Sequence, residues 1–154
     1  MILIVEGPDG SGKSTLAEKL SKQTGYFIVH RSAPKSDEEK AMMMQMYKQA
    51  ILDATDIILD RCWYSEMVYG PVMRDASVIS LEEMYKLELD LCSVGAMIIY
   101  CTGPKRVLWE RCKKRGEDYV TSYEQFEALY DRYERLMLNT QHLVPVVTYV
   151  YKDL

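Results

Sequence analysis

The tightest constraint on this chain is an apolar run, Ile2-Leu3-Ile4-Val5-Glu6, that leads straight into Gly7-Pro8-Asp9-Gly10-Ser11-Gly12-Lys13-Ser14-Thr15. The second stretch satisfies G-x-x-x-x-G-K-[ST], with Gly7, Gly12, Lys13 and Ser14 in their places. A short strand that enters a helix through such a turn exposes the helix's first unpaired N–H groups and the positive end of its dipole. Phosphate oxygens take those donors. Gly10 and Gly12 are expected to adopt positive φ and to let the main chain pass close to an anion. Lys13 adds a mobile charge for the outer phosphates, and the Ser14 hydroxyl suits a Mg²⁺ shell otherwise made of water and phosphate oxygen. The turn is read as a phosphate-binding loop, with Gly7, Gly10, Ser11, Gly12, Lys13, Ser14 and Thr15 around the phosphates of ATP. Its plain alternative is a glycine-rich turn that binds nothing, against which Leu16, Ala17 and Leu20 follow at helical spacing.

The remainder alternates strand and helix signals. A helix over 13–24 closes at Gly25, and Tyr26 to His30 reads as a second buried strand ending before Pro34. Ser36 caps a helix to about Asp53 that carries Met42, Met43, Met44 and Met46, a core or interface surface. Ile57 to Asp60 is a third strand; Trp63 to Met73 is a short helical segment interrupted at Gly70-Pro71. A capping box, Ser80-Leu81-Glu82-Glu83, opens a helix to about Cys92, and Ala96 to Cys101 is the fourth strand. Gly103-Pro104 starts a helix that breaks at Gly116, a long helix covers about 121–138, and Val144 to Val150 is the fifth strand. The pattern predicts one domain over 1–154: a three-layer α/β fold on a five-stranded parallel sheet flanked by helices.

With 154 residues, 48% hydrophobic and 27% charged, the composition is that of an ordinary soluble globular domain. A net charge of −4 argues against tracking nucleic acid by bulk electrostatics and favours a small substrate. Cys62, Cys92, Cys101 and Cys112 form no C-x-x-C pair and lie far in sequence from His30 and His142, which fits reduced thiols in the cytoplasm. The apolar start at Met1 to Val5 is too short for a membrane or signal segment.

Ligands of open parallel sheets sit at the carboxyl ends of strands, so Asp60 and Arg61, closing the third apolar run, should face the phosphate loop. A carboxylate followed by a guanidinium suits two anionic substrates and one Mg²⁺: Asp60 holds metal-bound water, Arg61 grips phosphate in a fork. The plain role for Arg61 is a surface ion pair with Asp60 or Glu66. Arg111, Lys113, Lys114 and Arg115, with Arg106 nearby, precede Gly116. They form either a solvated helix face or a basic lid over 111–120 that supplies charge to a transferring phosphoryl group and excludes water.

With these residues in place, the chain resembles the thymidylate kinase family of nucleoside-monophosphate kinases. The likeness rests on Glu6-Gly7-Pro8-Asp9-Gly10-Ser11-Gly12-Lys13-Ser14, on Asp60, Arg61, Ser65 and Tyr69, on a lid from Arg111 to Arg115 followed by Gly116, Glu117 and Asp118, and on Phe126 with Tyr133. The resemblance implies a P-loop kinase that uses ATP and Mg²⁺ to phosphorylate a deoxynucleoside monophosphate, dTMP or a dUMP analogue. It implies that Asp9 binds the acceptor's 3′-hydroxyl, that Arg31 and Arg61 hold its monophosphate with Ser65 beside them, and that Tyr69 lies under the sugar and disfavours a 2′-hydroxyl. Gly10 stands where some members carry a catalytic arginine, which assigns catalysis to Arg111 and Arg115 together with Lys13, Asp60 and Arg61. It also implies a two-fold interface through Met42 to Met46 and Tyr47, giving a homodimer.

Three features depart from the family: Tyr119 replaces a lid arginine, no arginine lies between Arg31 and Arg61, and only Tyr151, Lys152 and Asp153 stand where a helix follows the last strand. Such trimming looks like a bacteriophage enzyme working in the host cytoplasm. Two other functions stay open. One is a P-loop kinase with a hydroxyl acceptor (a nucleoside, a small metabolite or a modified base in DNA), with Asp9 or Asp60 taking the proton. The other is a nucleotide-binding switch without catalysis.

Overall fold

The structure, a computed structural model, describes residues 1–30, 36–53, 56–116 and 119–152. Its elements run β1 (Ile2–Glu6), α1 (Lys13–Thr24), β2 (Phe27–His30), α2 (Asp37–Leu52), β3 (Ile57–Asp60), α3 (Trp63–Arg74), α4 (Leu81–Cys92), β4 (Met97–Thr102), α5 (Lys105–Lys114), α6 (Tyr123–Leu138) and β5 (Val146–Val150). Local chemistry sets the helix ends. Ser36, Ser80 and Ser122 each accept from the N–H three residues on, and Ser80 with Glu83 completes the capping box. Helix α1 ends at Gly25 in the left-handed region (φ 78°), whose N–H returns to the Ser21 carbonyl at 2.8 Å.

All five strands are parallel, in the order β2-β3-β1-β4-β5. The order changes direction at β1: the chain fills β2 and β3 on one side, then crosses to β4 and β5 on the other. Register aligns Val5 with Asp60 and His30 with Asp60, so the carboxyl ends of β1, β2 and β3 meet on one side of the sheet at its switch point. Alternation along β1 splits the core. Ile2 and Ile4 join Leu59, Ile98 and Tyr100 beneath α2, α3, α4 and α6, while Leu3 and Val5 join Ile58 and Cys101 beneath Leu16 and Ala17 of α1.

Three expectations need correction. Strand β2 is not buried but is an edge strand, with Phe27 78% exposed, because its other side has no neighbour in the sheet among the described residues. Helix α3 is not interrupted at Gly70-Pro71. It runs through to Arg74, and Gly70 is required by the close return of the chain: a Cβ there would lie 2.6 Å from the Ala76 carbonyl oxygen and 3.0 Å from the Ser77 Cα. The fifth strand starts at Val146, since Pro145 offers no N–H and contributes only its carbonyl, to Ile98 N–H at 2.9 Å.

The methionine helix divides: Met43 and Tyr47 are core, with Tyr47 set edge-on to Trp63, whereas Met42 and Met46 are exposed. No cysteine is in a disulfide; Cys62, Cys101 and Cys112 are buried and Cys92 is exposed. Among the described residues no helix is long and apolar enough to cross a membrane.

Candidate active site

The turn between β1 and α1 has the predicted backbone, with Gly10 at φ 80° and Gly12 at φ 83°. It is also packed too closely for side chains. A Cβ on Gly7 would stand 2.1 Å from the Cys101 carbonyl oxygen, and one on Gly10 would stand 2.5 Å from that of Leu108. Ser11 is buried with its hydroxyl donating to Pro8 O at 2.6 Å. Lys13 Nζ donates to the same carbonyl at 2.9 Å, folding the lysine back over the loop. Burial, and then the like charge of Arg61, push Lys13 down to about 8. Thr15 is exposed in the first turn of α1.

Ser14 Oγ donates to Asp60 Oδ2 at 3.1 Å, joining the loop to the end of β3. A hydroxyl and a carboxylate converging there are hard oxygen donors of the kind Mg²⁺ selects, so these residues fit the ion. His30, at the end of β2, reaches the same Asp60 oxygen through Nδ1 at 2.9 Å. That contact was not anticipated. The strand register that puts His30 opposite Asp60 is the only signal for it, and register is not written in either segment alone.

Arg61 is one of two described non-glycine residues at positive φ (71°), and its N–H still pairs with Val5 O at 3.0 Å. The strained turn throws its side chain over the phosphate loop, where it is ion-paired with Asp9. Tyr69 OH donates to the other Asp9 oxygen at 2.9 Å, and the Arg61 guanidinium lies 5.4 Å from the centre of the Tyr69 ring. Burial works against charge on Asp9, but Arg61, Lys13 and Tyr69 outweigh it and hold the carboxyl below the usual range. Arg61 therefore pairs with neither Asp60 nor Glu66; Glu66 is taken by Arg74 and the Val78 N–H.

Beneath Arg61, Nη1 donates to Ser65 Oγ at 3.2 Å and to Tyr133 OH at 3.0 Å. Ser65 and Tyr133 both converge on Glu6, a fully buried carboxylate that also accepts the Cys62 and Ser65 N–H groups at 2.8 and 3.1 Å. Burial raises the Glu6 carboxyl despite Arg61 nearby. Tyr133 was noted only as a motif residue, and its place under Arg61 emerges from the packing of α6 on α3.

On the lid side, Arg111 Nε donates to Gly10 O at 2.7 Å, Nη1 donates to Tyr151 OH, and its guanidinium lies 3.9 Å from the Tyr151 ring centre. Arg115 closes α5 and is near enough to Asp9 to favour its charge. Tyr119 packs against Tyr69, ring centres 5.9 Å apart. The described residues thus bring Asp9, Lys13, Ser14, Asp60, Arg61, Ser65, Tyr69, Arg111 and Arg115 to one end of the sheet. Arg31, Glu117 and Asp118 lie outside the described residues.

The fold is that of P-loop kinases. It superposes on deoxyadenosine kinase from M. mycoides with a TM-score of 0.64 at 20% identity, covering 99% of this chain and 90% of that one; the structure there holds dCMP and dCDP. A second structure of that kinase holds dATP, at TM-score 0.64 and 20% identity over 97% and 91% of the two chains. No family model matches the chain. The SPbeta prophage-derived protein YorR of Bacillus subtilis (strain 168) is 30% identical over 141 residues, 90% of this chain and 82% of YorR. The chain belongs to the YorR family. The crystal structure of YorR, in complex with phosphorylated GDP, matches at TM-score 0.77 and 26% identity over 98% of this chain and 85% of that one. A prophage-derived relative fits the phage character expected from the sequence.

Proposed function

We propose that this chain is a phosphotransferase that moves the γ-phosphoryl group of ATP onto a deoxynucleoside monophosphate, with dTMP or a dUMP analogue as first candidates. The observation that carries this reading is Arg61, a half-buried guanidinium held beside the phosphate loop by Asp9, Ser65 and Tyr133. A fork preset next to a nucleotide's terminal phosphate suits an acceptor that is itself an anion.

In the proposed reaction an oxygen of the acceptor phosphate bonds to the γ-phosphorus as the β–γ bridging bond breaks, giving ADP and the diphosphate. The acceptor oxygen is already anionic, so no strong base is required. Loop amides and Lys13 hold the donor phosphates, Arg61 and Arg31 place the acceptor in line, and Asp9 with Tyr69 reads the 3′-hydroxyl and the sugar edge. Arg111 and Arg115 would contribute most as charge spreads over the transferring oxygens. Ser14 and Asp60, the latter through water, would hold Mg²⁺, which when bound neutralises charge on the donor phosphates.

A second reading, a kinase with a hydroxyl acceptor, is favoured by the His30–Asp60 contact at 2.9 Å, which sets two side chains of the types used as general bases together beside the loop. The deoxyadenosine kinase fold is compatible with it.

The test is ADP release with ATP and Mg²⁺ against dTMP, dUMP, dCMP, dGMP and dAMP, their ribose forms and the free nucleosides, with GMP included because YorR was crystallised with phosphorylated GDP. Turnover of a deoxy monophosphate, with the ribose form much poorer, supports the proposal. Turnover of nucleosides alone moves the acceptor to a hydroxyl. Nucleotide binding with no turnover on any acceptor points to a switch.

A further inference from the structure

Arg61 is held from below by a set of hydroxyls that rest on a buried carboxylate. Its Nη1 donates to Tyr133 OH and Ser65 Oγ, and these lean on Glu6, which is 0% exposed and accepts from Tyr133 at 3.2 Å and from Ser65 at 2.9 Å. Glu6 also takes the N–H groups of Cys62 and Ser65, the residues just after the left-handed turn at Arg61. Tyr133 is likewise 0% exposed and comes from α6, far along the chain. Its ring has an ordinary packing role against Tyr100 and Tyr69 that phenylalanine would fill. Its hydroxyl does not: the hydroxyl's partners, Arg61, Ser65 and Glu6, are all groups of this site.

Two edges of the guanidinium are thus treated differently. One faces Asp9 above, in the open part of the site, where an arriving anion competes for it. The other is fixed below by two hydroxyls that are themselves tied to Glu6. Holding one edge removes rotamer freedom before binding, so less is lost when the acceptor arrives.

Resting on the reading that Arg61 grips the acceptor's phosphate, we propose that Tyr133 and Glu6 are positioning residues that lock the lower edge of Arg61 and so present its upper edge to a phosphate-bearing acceptor. Tyr133 is the member whose removal is cleanest, because Tyr133→Phe keeps the ring and deletes only the hydroxyl.

The experiment titrates the full chain, saturated with ADP and Mg²⁺, with dTMP, dUMP, dCMP, dAMP and dGMP and with each nucleoside, by calorimetry. The tightest monophosphate and its nucleoside are then compared in Tyr133→Phe and in Ser65→Ala. The proposal expects the monophosphate to bind about tenfold more weakly in Tyr133→Phe, the size of one charge-assisted hydrogen bond, with nucleoside and ADP affinities unchanged and the melting temperature within a few degrees of wild type. In turnover the acceptor KM should rise by about the same factor and the ATP KM should stay. Wild-type affinity for the monophosphate in Tyr133→Phe, or equal weakening of monophosphate, nucleoside and ADP, overturns the proposal and leaves the kinase reading standing. If no monophosphate binds wild type better than its nucleoside, the acceptor-phosphate reading itself fails and this role falls with it. Ser65→Ala, which removes the other Nη1 partner, should weaken the monophosphate selectively as well; if Tyr133→Phe does not fold, a monophosphate affinity equal to wild type in Ser65→Ala overturns the proposal.

Discussion

The guanidinium of Arg111 rests 3.9 Å from the centre of the Tyr151 ring while its Nε–H donates to the Gly10 carbonyl at 2.7 Å. The basic helix is therefore fastened to the phosphate loop by a side chain as well as by the close packing of Leu108 on Gly10, and Arg115, a turn further on, makes no side-chain hydrogen bond to the other described residues. The two arginines should separate on mutation. Arg115→Ala is expected to lower kcat about a hundredfold with little change in ATP binding, as for a group acting mainly in the transition state. Arg111→Ala should lower kcat as well, and in addition should raise the ATP KM and lower the melting temperature by a few degrees, because its contacts to Gly10 and Tyr151 go too. Steady-state kinetics and a thermal melt distinguish the two.

Asp9 neutralises a guanidinium that is largely out of water. Asp9→Asn leaves that charge unpaired and should destabilise the fold by about 1–3 kcal/mol at pH 7. The sign follows from the depressed carboxyl: its contribution is present above the unfolded value near 4 and is lost as pH falls through the lower folded value. Urea unfolding of both proteins at pH 7 and pH 4 should show the gap narrowing in acid. Acceptor turnover should fall in parallel, because the 3′-hydroxyl contact goes too.

Lys13, brought down to about 8, begins to lose its charge within the working pH range. Bound phosphate favours the charged form, so ATP affinity should be flat below pH 7 and decline by up to about tenfold per pH unit above 8, levelling off where the lysine of the bound complex itself titrates. Calorimetric titration with ATP between pH 6.5 and 9.5 measures this. In Lys13→Met the affinity is low throughout and the slope disappears.

Away from the site, His142 Nδ1 lies 3.0 Å from Glu88 Oε1, and both side chains are almost wholly inside the protein. Burial opposes a charged imidazole, but hydrogen bonds to Glu88 and to the Leu136 carbonyl raise it above its ordinary value. The contribution to stability is then complete below the unfolded value near 6.5 and fades as pH rises through the higher folded value. Wild type should lose stability between pH 6 and 9 relative to His142→Gln, by roughly 1 kcal/mol. Chemical denaturation at both pH values reads it.

Gly7→Ala tests packing. The new methyl would meet the Cys101 carbonyl at 2.1 Å, within the hydrogen-bonded centre of the sheet. A loss of about 3 kcal/mol or more is expected, large enough that the variant accumulates poorly. Gly25→Ala meets nothing within 4 Å and carries only the strain of its positive φ, so it should cost about 1 kcal/mol.

What could be foreseen from the chain alone follows from how local each signal is. The phosphate loop, the serine caps and the Asp60-Arg61 step are short-range patterns, and they appear in the structure where they were expected. The edge position of β2 was not legible, because Tyr26 to His30 is as apolar as a central strand and only the sheet order decides which strand lacks a neighbour. Gly70-Pro71 signals a helix break, but α3 continues through it, and Gly70 is there because residues 76–77 return too close for a side chain. The contacts of His30 with Asp60, of Tyr133 with Arg61 and of Tyr151 with Arg111 join residues 30 or more apart in sequence. They exist only once strands register and helices dock. The role expected of Asp9 rests on family resemblance and that of Arg61 also on its place at the end of an apolar strand; the structure adds the partners that hold both side chains.

The uneven burial of the four thiols gives the protein a ready handle for spectroscopy. Burial pushes Cys101 up to about 12 and also raises Cys62 well above its ordinary value, so neither offers thiolate to an alkylating reagent at neutral pH. Cys112 is shut in behind Gly10. Cys92, at the end of α4, is the exposed one, and a maleimide dye at pH 7 should attach there alone. A second cysteine placed on the outer face of α5 would then test, as a distance that fluorescence transfer follows in a single molecule, whether the basic helix moves when nucleotide is added, without first stripping the native thiols from the core.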